Sequence, residues 1–213
     1  MAVPADSITT ILFDWDGTLM DSARMGFVAF TKMFKDMGLH FDRQVYENLY
    51  SPNWYSMYET LGLPRDRWQQ ADELWIHHYG EETPSLVERG RQTIDELCRR
   101  GYSLGLVSSG SESRVRREIK ELDLTAIFQV VICNEDTVNK KPHPEGLQKA
   151  MQAMRKGPEV CSYVGDSPED IEMGKQAHLL TVGVRSAYPG SKRLLSAQPD
   201  IYVESIHEIL DHF

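Results

Sequence analysis

Two aspartates, Asp14 and Asp16, stand two residues apart in the run ILFDWDGTLMDS, residues 11–22, just beyond a short apolar stretch. Acids so placed can both approach one pocket, although paired acids after a strand equally serve as turn and cap residues. Ser108 follows the apolar run SLGLV. Its hydroxyl could donate to a phosphoryl oxygen, or it could cap a helix, a role open to Ser111 as well. Lys141, in KKPHPE, precedes a proline read as opening the next helix, and Lys140 beside it reads as a solvated charge. Asp166, in YVGDSPEDIEMG, follows another apolar run, and Ser167, Pro168 and Asp170 have the spacing of a capping box. All four places lie at the C-terminal ends of predicted strands. Open α/β sheets gather ligands there, because loops and helix N-termini converge.

The elements that must hold these residues follow from periodicity. Short apolar runs predict strands at Thr9–Phe13, Ser103–Val107, Gln129–Cys133, Cys161–Val164, Leu180–Val184 and Ile201–Val203. Helical spacings separate most of them, which predicts a Rossmann-like parallel sheet with helices on both faces, an α/β fold. The first two strands are the exception. Between them Phe27, Phe30, Phe34 and Met37 recur three and four apart, predicting a helix from Ser22 to Met37. Three more helical patterns follow, around Phe41–Leu49, Trp54–Leu61 and Trp68–His78. A strand–helix–strand unit needs only ~30 residues. Residues 20–84 are therefore read as an all-helical insertion in an α/β core made of 1–19 and 85–213.

The bulk properties narrow the partners. A net charge of −9 argues against a nucleic-acid or membrane-surface binder, since such partners select basic surfaces. Cys98, Cys133 and Cys161 are scattered and odd in number, which argues against a disulfide framework. The start, MAVPADSITT, lacks a basic segment followed by an apolar one, and no apolar stretch approaches the ~20 residues of a membrane span. A reduced, cytoplasmic protein, monomeric or homodimeric, is expected.

Taken in order, Asp-x-Asp, Ser, Lys-Pro and Gly-Asp-x-x-x-Asp resemble the haloacid dehalogenase superfamily of hydrolases. The helical insertion resembles the small cap of its phosphoglycolate-phosphatase-like branch. The resemblance implies a phosphatase acting on a small phosphorylated metabolite through an aspartyl phosphate, with Mg2+ as cofactor. It implies Asp14 as nucleophile and Asp16 as general acid and base, while Ser108, Ser109, Lys141 and Gly17 serve the phosphoryl group. It implies Asp14, the Asp16 backbone carbonyl and Asp166 as metal ligands, with Asp170 a ligand or the residue orienting bound waters or Lys141. Dehalogenating members lack an acid two residues after the nucleophile, because halide departs without a proton. Asp16 therefore points to phosphoryl transfer.

In this superfamily the cap supplies contacts to the leaving group, which makes Asn53 and Tyr55 candidates for specificity. Trp54 and Tyr58, at i and i+4, are expected instead to pack the cap's own small core. A phosphomutase or a pyrophosphatase would carry the same core motifs. A receiver-type phosphoacceptor domain fits less well, since its phosphoacceptor sits on a middle strand and no cap intervenes.

Overall fold

The computed structural model describes residues 5–50 and 54–213. Six strands, Thr10–Phe13 (β1), Ser103–Val107 (β2), Phe128–Ile132 (β3), Cys161–Gly165 (β4), Leu180–Val184 (β5) and Ile201–Val203 (β6), form one sheet. Its order is β3-β2-β1-β4-β5-β6, and every neighbouring pair is parallel. Each strand lies within a residue of its apolar run, because a parallel strand covered on both faces has no polar side to interrupt it. All four residues of β1 are buried, and Ile11, Leu12 and Phe13 are fully enclosed. Each such side chain contributes roughly 1.5–3 kcal/mol of transfer free energy.

The helices between strands are Gly90–Arg99, Glu112–Glu121, Glu145–Met154 and Pro168–Gln176 (α5 to α8, after four helices described below). The chain runs from β1 outward through β2 to β3, then crosses back to β4 and continues the other way. Right-handed crossovers place α5 and α6 on one face and α7 and α8 on the other. On the second face Leu147, Ala150 and Met151 of α7 and Met173 of α8 share a core with Leu12 and Tyr163. The reversal makes the gap between β1 and β4 the place where open α/β sheets hold ligands.

One expectation fails locally. Pro142 does not open a helix; α7 begins at Glu145, after Pro144. Pro144 disfavours the helical region for His143 before it, so the helix cannot start earlier.

The chain divides into two compact units. The sheet belongs to one, which comprises the chain up to Asp21, Pro84–Ser186 and Ser191–Phe213. The other, Ser22–Thr83 with Ala187–Gly190, holds the helices Ser22–Asp36, Arg43–Leu49, Tyr55–Thr60 and Trp68–Gly80 (α1 to α4). Phe30, Met33 and Phe34 of α1, with Phe41, Tyr46, Met57, Tyr58 and Ala71, make an aromatic-rich core of its own. Tyr58 is fully buried there, whereas Trp54 is 44% exposed and sends its indole N–H to Asp72. The expected pairing of these two in the core thus holds for Tyr58 alone. Among the described residues no helix is long and apolar enough to cross a membrane, and all three cysteines are free.

Candidate active site

Asp14 is the first residue beyond β1. Its amide still donates to Val164 of β4 at 2.9 Å, so its backbone is fixed by the sheet. The residue is 5% exposed. Lys141 Nζ donates to Oδ1 at 2.5 Å, and Thr18 Oγ1 donates to Oδ2 at 3.2 Å. The turn that brings Thr18 back is closed by the Gly17 amide on the Met20 carbonyl and needs φ +87° at Gly17. Only glycine adopts that angle without strain.

Asp166 occupies the same position beyond β4, the strand beside β1, and accepts the Ser186 hydroxyl at 2.5 Å. Asp170 sits in the first turn of α8 and divides its oxygens between two tasks. Oδ2 accepts the Ser167 amide at 3.1 Å and hydroxyl at 2.6 Å, which closes the expected capping box. Oδ1 accepts Lys141 Nζ at 2.7 Å and the Tyr163 hydroxyl at 3.0 Å. Gly165 makes this possible, because a Cβ there would lie 2.6 Å from Asp170 Cγ. Lys141 therefore bridges two carboxylates, while Lys140 is exposed and donates to the carbonyls of Asn134 and Thr137.

The electrostatics follow from three buried acids sharing one ammonium. Burial pushes the Asp14 carboxyl up to about 7, with Lys141 opposing the rise and Asp170 adding to it. Burial, then the charges of Asp14 and Asp170, holds Asp166 well above the usual carboxylate range. Burial acts on Asp170 in the same sense. There the charge and hydrogen bond of Lys141, with Ser167 and Tyr163, prevail and hold it low. Lys141, despite burial, is raised well above its ordinary value by Asp14 and Asp170. The excess of negative charge and the all-oxygen donor set, with ligand atoms within 4.8 Å of one another, fit a hard divalent cation.

Ser108 is 5% exposed beyond β2. It does not cap α6; its Oγ accepts the Gly110 amide at 2.9 Å, and Ser111 holds the N-cap position without a side-chain bond. Ser108, exposed Ser109 and Lys141 line one pocket, with Asn134, Thr137 and Gly146. Asp16 faces Arg114, whose Nη1 and Nη2 donate to its two oxygens at 2.9 and 2.6 Å. Tyr55 lies in the helical unit, its ring stacked on Trp68 at 4.8 Å and its hydroxyl donating to Asp72 at 2.8 Å. Asn53 lies outside the described residues.

Sequence reasoning missed Thr18, Tyr163, Ser186, Arg114 and Glu118. Arg114 and Glu118 had a signal, an opposite-charge pair at i,i+4, but such pairs are ordinarily solvated.

The model for the haloacid dehalogenase-like hydrolases matches residues 11–184. The chain is 30% identical over 210 residues to the pyrophosphatase PpaX of Oceanobacillus iheyensis, with 96% of each chain covered. Its fold is similar to that of a haloacid dehalogenase-like family hydrolase from Streptococcus pneumoniae, with TM-score 0.84, 24% identity, and 98% and 99% of the two chains covered. A protein from Haemophilus somnus 129pt, named as a predicted phosphoglycolate phosphatase, superposes with TM-score 0.85 at 21% identity, covering 96% and 97%. With a family model that matches residues 11–184, from β1 to β5, the chain belongs to the haloacid dehalogenase-like hydrolases.

Proposed function

We propose that this protein is a magnesium-dependent phosphohydrolase that cleaves a small phosphate monoester through an aspartyl phosphate on Asp14. The observation that carries the reading is the contact of buried Asp14 with Lys141 at 2.5 Å, beside Asp166 at the neighbouring strand end and Asp170 in the first turn of α8.

Asp14, the Asp16 carbonyl and Asp166 would hold the cation, which supplies the charge that lets an anionic nucleophile meet a phosphate dianion. The protein's own groups carry the bond changes. An Asp14 oxygen bonds to phosphorus as the ester P–O bond breaks, and the leaving oxygen takes the proton of Asp16. Water then bonds to phosphorus, the P–O bond to Asp14 breaks, and Asp16 recovers a proton from that water. Ser108, Ser109 and Lys141 hold the phosphoryl oxygens throughout. Asp170 keeps Lys141 in place. The helical unit acts as the cap, with Asn53 and Tyr55 as its specificity candidates.

Turnover of p-nitrophenyl phosphate, with magnesium and with excess chelator, tests the reading. Activity should need the metal and vanish in Asp14→Asn; undiminished turnover in chelator, or in that variant, would refute it. A second reading, hydrolysis of pyrophosphate, is favoured by the name of the Oceanobacillus relative. A panel of pyrophosphate, phosphoglycolate and sugar phosphates separates the two. Product analysis with a sugar bisphosphate detects a phosphomutase.

A further inference from the structure

Asp16 is followed in space by three groups that the mechanism above does not use. The Arg114 guanidinium meets its carboxylate as a two-pronged fork, at 2.9 and 2.6 Å. Behind it Glu118, one turn along α6, accepts Arg114 Nη1 at 3.1 Å and is fully buried. Glu118 in turn accepts the indole N–H of Trp15 at 2.8 Å. Trp15 is also fully buried, edge-on to Phe128, and lies in sequence between Asp14 and Asp16.

An exposed i,i+4 pair on a helix would contribute little and orient nothing. This one is different, because a fully buried carboxylate is costly unless paired, and a hydrophobic side chain of similar volume would serve stability as well. Burial raises the Glu118 carboxyl, and Arg114 opposes the rise. The arrangement spends stability on directing one guanidinium. A planar fork suits that task, since it fixes the plane of the carboxylate it grips. It grips both oxygens of that carboxylate at once.

We propose that Arg114, held from behind by Glu118 and Trp15, is the positioning residue that orients Asp16 toward the leaving-group oxygen. This rests on the phosphohydrolase reading, in which Asp16 is the general acid.

The test compares a p-nitrophenyl ester, which departs with little help, with an alkyl phosphate, which needs the proton. Arg114→Ala should lower kcat/KM about 10–100-fold on the alkyl ester and only a few-fold on the aryl ester, since misdirecting a proton donor forfeits part of its ~10²–10⁴-fold contribution. Arg114→Lys keeps the charge but not the fork, and should recover only part of the loss. In an Asp16→Asn background, adding Arg114→Ala should cost less than about 3-fold, because the group it orients is gone. Equal losses on both esters, or full additivity with Asp16→Asn, would overturn the inference while leaving the phosphohydrolase reading intact. Wild-type protein that hydrolyses neither ester would overturn both. If Arg114→Ala fails to fold, Glu118→Gln keeps the volume and loosens Arg114, and should give the same leaving-group pattern in smaller degree; its absence counts against the proposal.

Discussion

Replacing Asp170 with alanine removes four hydrogen bonds at once, and the structure lets their weights be separated. Two belong to the helix start, from the Ser167 amide and hydroxyl; loss of such a cap costs about 1 kcal/mol. The third comes from buried Tyr163, whose hydroxyl keeps a weaker acceptor in the Val107 carbonyl at 3.3 Å. The fourth is the ion pair with Lys141. Orphaning a buried charge costs about 3–5 kcal/mol, but Lys141 retains Asp14 at 2.5 Å, so the loss stays below that range. The variant also relieves repulsion between Asp170 and the other two acids. Together these place the destabilisation at roughly 2–4 kcal/mol. Ser167→Ala, which loses only the cap bonds, should cost about 1 kcal/mol. Urea unfolding of the two variants and the wild type measures the difference, with an unchanged slope showing that the unfolded state is the same. A loss for Asp170→Ala no larger than that for Ser167→Ala would refute the double role assigned to this carboxylate.

Gly165→Ala should act through the same residue, since the added methyl meets Asp170 Cγ at 2.6 Å; a loss of about 1–3 kcal/mol in the same assay is expected. Magnesium should raise the melting temperature more at about pH 8 than at about pH 5. Asp14, held at about 7, and Asp166, held well above the usual carboxylate range, have folded values above their unfolded ones. The metal-free protein therefore loses stability as pH rises from about 4 through 7, and protons compete with the cation below that; a shift independent of pH would contradict the metal assignment. Tyr55→Phe removes the bond to Asp72 but keeps the stack on Trp68. It should cost about 0.5–1.5 kcal/mol in stability and alter ratios of kcat/KM among phosphorylated substrates, with aryl ester hydrolysis little changed. Equal losses on every substrate would remove Tyr55 from the specificity candidates.

The strands were legible because a doubly covered parallel sheet writes itself as unbroken apolar runs, and TILF or LTVGV permits few other readings. The capping box of α8 was legible for a similar reason, since its geometry is local. Contacts made across the fold were not. Tyr163 reads as one more apolar strand residue, yet its hydroxyl reaches the carboxylate that holds Lys141. Ser186 lies beyond β5 with nothing in its neighbourhood to suggest Asp166 as a partner. Arg114 and Glu118 look like a surface pair until the tertiary structure buries the second of them. Trp54 misled in the opposite sense, because spacing shows that two aromatics share a helix face but not how far the core extends along it.

The sheet order also dictates when the site can exist. Thr10 of β1 pairs with Ser103 on one side and with Cys161 on the other, so the strand bearing Asp14 has no neighbour until far more of the chain has been made. At ~5–20 residues per second, a ribosome leaves that apolar segment unpaired for several seconds. The helices of Ser22–Thr83 close most of their contacts within consecutive sequence and can form meanwhile. Such distant pairings slow folding, because loop closure precedes the contacts that reward it. Asp14 is thus made well before the two strands that flank its own, and is set in place only once both have arrived.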